Sequence, residues 1–423
     1  MGPRTCNLVT GLQLRAARTL AGMTQQDLAA AVGVNERAVR FWERKRDRKP
    51  TSAPNDARIE QVLTERGVIL FADPTPGKGA YNRHAAIPAS GGALAIPLLE
   101  KAAGRIAVDA SDRPIVIVDY GSSQGKNSLA PMRAAIAALR VRIRPERPVF
   151  VYHTDLPSND FSELFSLLAT DPDSYLRADP NVFPYAIGRS FYQSVFPPDF
   201  VDLGWSSYAA VWLSQIPRQI PDHFFIPCST GTVRAEFDRQ AALDWKTFLS
   251  NRAAELRHGG RLVVALPALN HDGSTAFATF MDVANEVLSE LVASGFVSVE
   301  ERARMTLASC PRRESDLRAP FERNAQFEGL VVEHCSTSGP PDTAWIEYES
   351  DNDATALASK RALFFRVIFT PSLAEALAPS RGAQDRQAFA DRLEDGIRRR
   401  LIGHPARVNH LTGIIVLAKT GIG

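Results

Sequence analysis

Only four cysteines stand in the 423 residues, at positions 6, 228, 310 and 335. None forms a C-x-x-C pair, so neither a disulfide framework nor a zinc knuckle is indicated and free thiols are expected. The eight histidines include no H-x-x-x-H pair; a catalytic metal lacks its usual helical ligand spacing, and no metal is expected. His153, His223 and His271 read as surface or internally bonded groups rather than as bases. No apolar run reaches the roughly 18 residues of a membrane helix, and the N-terminal MGPRTCNLVTG has no apolar core of a signal peptide. A cytoplasmic protein with no membrane partner is the expectation. There is neither an internal repeat nor a low-complexity tract.

What is present is an ordinary globular composition, 45% hydrophobic and 23% charged, in a chain long enough for two or three domains. The near-neutral total of +2 hides an asymmetry: residues 1–80 hold 13 basic against 8 acidic side chains, and the rest 36 against 39. A basic module therefore occupies 1–71. The stretch ADPTPGKGA at 72–80 has Pro and Gly but no apolar period, as a linker does. Beyond it, 81–423 alternates short Val/Ile/Phe runs with amphipathic stretches. Candidate strands are PIVIVD at 114–119, PVFVYH at 148–153, FVDLGW at 200–205, RLVVAL at 261–266, FEGLVVE at 327–333 and GIIVLAK at 413–419. Helical spacing at 244–257 and 276–292 lies between them, which predicts an α/β layered domain with a mostly parallel sheet.

The basic module contains QQDLAAAVGVNERAVRFWER at 25–44, two short helices broken at Gly33. Ala29 suits a close helix crossing, Gly33 suits a left-handed turn, and Leu28, Val32, Val34, Val39 and Trp42 form a buried side. Thr24 with Asp27 fits an N-cap. Outside lie Asn35, Glu36, Arg37, Arg40 and Arg44, followed by more charge able to reach phosphates. The pattern LRAARTLAGMTQQDLAAAVGV...VRFWERKRDRKP resembles the Xre/Cro repressor family of helix-turn-helix domains over about 12–70. That resemblance implies that the helix starting at Asn35 enters the major groove of duplex DNA, supported by Gln25 to Val32. Such domains bind as dimers, so a homodimer is expected; a helical bundle that only contacts protein is the alternative.

In the larger domain, IVDYGSSQGKNSL at 117–129 runs from a strand through an acid and a Gly/Ser turn into a helix. Such a turn brings backbone close to a ligand at the carboxyl end of a sheet. Its spacing is neither G-x-G-x-x-G nor G-K-[ST], because Lys126 is followed by Asn127. HTDLPSNDFSELF at 153–165, GRSFYQSVFP at 188–197 and WSSYAAVWLSQIP at 205–217 follow it in order. Together these motifs resemble the SABATH family of S-adenosylmethionine-dependent methyltransferases, over about 78–420. The resemblance implies a class I methyltransferase-like (Rossmann-like) fold with helical cap insertions at about 220–330 and 340–400. It also implies S-adenosylmethionine as cofactor and a carboxylate of a small acid as methyl acceptor.

By position, Asp119, Asn127, Asp155, Leu156, Ser190 and Phe191 match the family's cofactor-binding residues. Asp155 would take the ribose hydroxyls, Leu156 and Phe191 would flank the adenine, and Asp119 with Asn127 would hold the methionine end. Tyr81, Tyr208, Val211 and Trp212 fall at substrate positions. Here the chain departs from the family: its Ser and Gln are Ala85 and Pro88, and its His is Val211. Trp212 would orient the acceptor as a wall and Tyr208 would donate a hydrogen bond. No acid or base is expected, because a carboxylate is already ionised at neutral pH. The alternative function is a transcriptional regulator whose methyltransferase-like domain senses S-adenosylmethionine or a metabolite without turnover.

Overall fold

A computed structural model describes residues 86–420 continuously. Of the first 85 residues it describes 23–44 together with Leu14, Arg15, Arg18, Asn55, Arg58, Ile59, Val62 and Leu63. The chain divides into two compact units, Met1–Pro74 with Leu377–Ala388, and Thr75–Ala376 with Phe389–Gly423.

In the first unit, helix α1 (Gln25–Val32) starts at a capping box. The Thr24 side chain accepts from the Asp27 amide, and the Asp27 carboxylate takes the Thr24 amide at 2.8 Å. It stops at Gly33, whose φ of 77° is left-handed backbone that a side chain would strain. Helix α2 (Glu36–Glu43) follows with Asn35 as its N-cap. Leu14, Leu28, Val32, Val39, Trp42, Ile59 and Leu63 close a small apolar core, with Val34 partly buried beside it.

The second unit opens with helices α3 (Ala86–Ala93) and α4 (Ile96–Ala103). Strand β1 (Ile115–Tyr120) is buried at all six residues, as a central strand covered on both faces must be. It leads into α5 (Lys126–Arg140), β2 (Val149–Asp155), α6 (Phe161–Thr170), β3 (Val182–Gly188) and β4 (Val201–Ser207). The long α7 (Gly231–Glu255) runs into β5 (Leu256–Ala268). After α8 (Ala278–Ala293), α9 (Val299–Arg304) and α10 (Glu314–Arg318) come β6 (Gln326–Phe327) and β7 (Leu330–Ser338). Helices α11 (Thr343–Asp351), α12 (Ala354–Ile368), α13 (Thr370–Glu375) and α14 (Ala383–Gly403) precede β8 (Leu411–Lys419).

The sheet order is β3-β2-β1-β4-β5-β8-β7-β6. Strands β1 to β5 are parallel, and β8, β7 and β6 pair antiparallel. One face packs Ile115, Ile117, Val149 and Val151 against Leu99 of α4, Met132 and Leu139 of α5 and Leu164 of α6. The other packs Val116, Val118, Leu262 and Val264 against Trp245, Phe248 and Leu249 of α7. This is the expected α/β fold with a mainly parallel sheet.

Two expectations change and one strand is added. The segment 220–330 is too broad for a helical cap, because α7 is a layer of the core and β5 a strand of the sheet: both bury apolar residues in it. FEGLVVE is not one strand; it splits into the β6–β7 hairpin at Glu328 and Gly329, with φ of 49° and 79°. That pair of positive values is what a two-residue hairpin turn needs. Strand β3 went unforeseen because Pro184 interrupts its pattern, and it is an edge strand, where proline is tolerated.

The second face is tied by an ion pair between Arg252 and Glu255, at 2.7 Å with both side chains wholly buried. Removing one charge strands the other, so Glu255→Leu is expected to cost about 3–5 kcal/mol. The double variant Arg252→Met with Glu255→Leu should recover part of that loss in urea unfolding. A single variant as stable as the wild type would contradict the assignment.

Candidate functional site

The turn after β1 is built by backbone constraint. Gly121, Ser123 and Gly125 have φ of 92°, 49° and 90°. A Cβ at Gly121 would overlap that of Ala209 and lie 3.7 Å from the Phe191 ring. Only glycine lets the β1 turn, the start of the β4 exit loop and Phe191 meet there. The amides of Gly121 and Ser122 both donate to the Thr154 carbonyl, at 2.8 and 3.0 Å. Asp155 braces the turn from the end of β2: its carboxylate accepts from the Ser123 and Leu156 amides, each at 2.7 Å.

Around this turn lie buried polar atoms without hydrogen-bond partners: Ser122 Oγ, Asn127 Nδ2 and Thr154 Oγ1. Buried polar groups are nearly always paired, so a cluster of orphans at the carboxyl rim of a parallel sheet marks a place for a polar ligand. Asp119 is 2% exposed, and its Oδ2 accepts from Ser128 Oγ and faces His153 Nδ1 at 3.4 Å. Asp119 and Asp155 lie at the carboxyl ends of the adjacent strands β1 and β2, Leu156 follows β2, and Asn127 is on the first turn of α5. Phe191, half-buried, stands against Gly121 across the turn, and Ser190 Oγ accepts from the Tyr192 amide at 3.3 Å. This donor and acceptor set fits the adenosyl and methionine parts of S-adenosylmethionine.

Of the residues expected on the acceptor side, Tyr208, Val211 and Trp212 lie beyond β4. Tyr208 has a left-handed φ of 58°, and its hydroxyl shares a 2.7 Å hydrogen bond with Thr412 Oγ1. Burial pushes that hydroxyl up to about 12, so it stays a phenol. A Cβ at Gly91 of α3 would overlap the Tyr208 hydroxyl, so the helix lies directly on this side chain. Val211 and Pro88 are buried, and Trp212 is half-buried with its carbonyl taking the Tyr192 hydroxyl at 2.6 Å. Tyr81 lies outside the described residues. Sequence reasoning missed Gly91, Thr412 and His410. His410 is 5% exposed two residues before Thr412; its Nε2 has no partner, and burial lowers its pKa. Nothing in their spacing marks these residues, because β8 brings Thr412, with His410 just before it, from the far end of the chain to Tyr208, while Gly91 reaches it from α3.

His223, Cys228 and Asp282 place three ligand-type atoms within 4.8 Å of one another. His223 Nδ1 already accepts from the Phe224 and Phe225 amides at 2.9 Å, so in the neutral ring Nε2 carries the proton toward Asp282, 3.4 Å away. The Cys228 thiol is pushed up to about 12, mainly by burial. With Nδ1 taken by two amides, Nε2 keeps the ring proton and offers a cation no lone pair.

In the helix-turn-helix, Gln25 Nε2 donates to Glu43 at 2.6 Å and its Oε1 accepts from Arg40 at 3.2 Å. Arg40 also bonds Glu36 at 2.6 Å. Asn35 Oδ1 caps α2 by accepting from the Ala38 amide at 2.9 Å, so its side chain is partly committed to the fold. Arg37 and Arg44 are exposed, and neither is paired with an acid among the described residues.

A mainly parallel sheet with a ligand turn after its first strand defines a class I methyltransferase-like protein with a helix-turn-helix added. The family model for SAM dependent carboxyl methyltransferases matches residues 73–417, and a helix-turn-helix model matches 14–53. The chain belongs to the S-adenosylmethionine-dependent carboxyl methyltransferase family. It is 32% identical over 228 residues to methyltransferase LUC1 of Fusarium sp, covering 52% of this chain and 59% of that protein. To indole-3-acetate O-methyltransferase 1 of Arabidopsis thaliana it is 27% identical over 303 residues, covering 65% of this chain and 77% of the relative. A structure of loganic acid methyltransferase with SAH superposes with a TM-score of 0.68 at 20% identity, covering 82% of this chain and 98% of the other. Among the described residues no helix is long and apolar enough to cross a membrane.

Gly121→Val should abolish S-adenosylhomocysteine binding in calorimetry while the protein stays folded by circular dichroism, since the added side chain meets Ala209 and Phe191. Unchanged binding would mean that the turn does not touch the cofactor.

Proposed function

We propose that this chain is a cytoplasmic enzyme that methylates a carboxylate of a small aromatic acid, and that it binds duplex DNA as a dimer through its helix-turn-helix. The observation that carries the catalytic reading is the cluster of orphaned polar atoms, Ser122 Oγ, Asn127 Nδ2 and Thr154 Oγ1, beside Asp119 and Asp155. S-adenosylmethionine supplies an electrophilic methyl on a sulfonium. Asp119 and Asn127 hold its methionine end, Asp155 the ribose, and Leu156 and Phe191 the adenine faces. Ser190 closes the same edge. Tyr208 and Trp212 orient the acceptor so that a carboxylate oxygen lies in line with the methyl; Val211, beside Trp212, keeps that wall apolar. Alignment in a dry site can lower the barrier by about 7–11 kcal/mol. No side chain needs to take a proton.

Turnover tests this reading: release of S-adenosylhomocysteine with a panel of small acids, where no release with any acid would sink it. Asp155→Ala should weaken S-adenosylmethionine binding by roughly 1.5–3 kcal/mol, the size of a charged hydrogen bond. The family's polar clamp is reduced here by Pro88 and Val211, and an unpartnered buried carboxylate costs several kcal/mol, on the order of what such a clamp recovers. Salicylate should therefore turn over poorly compared with bulkier, more apolar aromatic acids, and Trp212→Ala should abolish activity on any aromatic acceptor. Efficient salicylate methylation by the unaltered protein would contradict this assignment.

On the DNA side, Asn35, Glu36, Arg37, Arg40 and Arg44 form the outward surface of α2, with Gln25 behind it. Arg40 is held by Gln25 and Glu36, which fixes its guanidinium for directional contact rather than for loose phosphate pairing. The full-length chain should bind duplex DNA with an affinity that falls steeply with salt, and Arg40→Ala should lose sequence preference. Salt-insensitive or absent binding in a gel shift would leave the domain a protein-contact module.

A further inference from the structure

Three side chains behind Asp119 have no place in the methyl-transfer reading. His153 is wholly buried on β2, directly beside Asp119 in the sheet register. Tyr175, 1% exposed, sets its hydroxyl 2.8 Å from His153 Nε2. Ser128, on the first turn of α5, bonds the same Asp119 oxygen that His153 faces. A polar chain Tyr175–His153–Asp119 therefore runs inward from the cofactor turn through an apolar layer. Among the described residues no donor reaches Asp119 Oδ1.

The direction of the protons follows from the chemistry. Burial drives the Tyr175 phenol far above its ordinary range, so the hydroxyl keeps its proton and has it to give to Nε2 when that nitrogen is the ring's acceptor. In a neutral imidazole that choice places the other proton on Nδ1, which then points at Asp119 Oδ2. The reverse tautomer would set a lone pair against a carboxylate in a site with almost no water, and a protonated ring would put a resident cation where an incoming one has to bind.

We propose that Tyr175 and His153 are positioning residues that keep Asp119 an oriented anion, with Oδ2 held from behind and Oδ1 reserved for the ammonium of the cofactor's methionine end. The proposal rests on the assignment of Asp119 to that ammonium. It makes the pair a determinant of cofactor affinity that acts only through the charged amino group, and leaves the adenosyl contacts at Asp155 and Leu156 untouched.

Two probes separate these parts. S-adenosylhomocysteine carries the ammonium, whereas 5′-methylthioadenosine keeps the adenosine and thioether and lacks it. Calorimetry on the full chain should show that Tyr175→Phe and His153→Leu each weaken S-adenosylhomocysteine about tenfold or more, as expected for a charge-linked hydrogen bond, with 5′-methylthioadenosine unchanged. His153→Gln, whose amide can accept from Tyr175 and donate to Asp119, should restore most of the loss. Tyr175→Phe should add nothing in the His153→Leu background, because the tyrosine acts through the ring. Equal loss of both probes would reduce the pair to a structural role and overturn the proposal, as would full affinity in Tyr175→Phe. Asp119→Asn is the control for the underlying assignment. If it alone weakens S-adenosylhomocysteine, the ammonium site stands and the relay falls; if it too is without effect, both fall.

Discussion

The buried ion pair between Arg252 and Glu255 is the constraint from which both walls of the cofactor site hang. Neither side chain touches solvent, and two charges removed from water are tolerated only when their remaining donors and acceptors are met. Here the site itself meets most of them, and Arg252 Nε is left without a partner. Glu255 takes the Tyr120 hydroxyl at 2.8 Å and the amides of Val195 and Phe196. Arg252 lies over the Tyr120 ring, 4.2 Å from its centre, and donates to the carbonyls of Phe191 and Gln193. Tyr120 is the residue before Gly121, and Phe191 is the ring that closes on it. The last turn of α7 thus fixes the turn after β1 and the loop after β3 against each other.

The acceptor side depends on a different long-range device. Parallel pairing of β1 to β5 brings five carboxyl ends to one rim, and the reversal of β8 adds Leu411 and Thr412 to it. Thr412 fixes the Tyr208 hydroxyl, while the Tyr208 amide donates to the Ala265 carbonyl at 2.8 Å. Those two anchors hold a left-handed non-glycine residue at the end of β4. Strain of that kind persists only where the surroundings over-determine it, and it gathers at functional sites. Elsewhere, Phe280 of α8 and Phe224 of the segment before α7 pack edge-on against Phe365 of α12, each at a centroid distance of 5.8 Å.

Much of this was legible in the sequence, for physical reasons that also set the limits. β1 could be read because a strand covered on both faces is a continuous apolar run, and the helix break because Gly33 has to be left-handed. β3 was hidden by Pro184, and the β6–β7 hairpin by a turn of Glu328 and Gly329 that lacks the usual Asn-Gly signal. The capping role of Asn35 competes with its reading as a base contact, since one side-chain oxygen serves both purposes in the sequence pattern. His153 looked like an ordinary core or surface histidine. Its importance comes from Tyr175, which lies 22 positions away and meets it only through the packing of the segment after α6 against β2.

The two halves of the catalytic site differ in how far apart their residues lie along the chain. The residues proposed to hold the cofactor, Asp119, Ser122, Asn127, Thr154, Asp155 and Leu156, come from one strand–turn–helix–strand unit, so their spacing is set by local backbone geometry and survives as a motif. The acceptor side draws on Gly91, Tyr208, Trp212 and Thr412, the last bonded to Tyr208 across 204 positions. No local period ties such residues together, and each can change without breaking the unit that carries the cofactor. Val211 and Pro88 are changes of that kind: both are buried, and both put apolar surface where the family carries a polar group. On the proposed assignment, cofactor chemistry is held by the part of the fold that must stay fixed, and acceptor choice by the part that can vary around it.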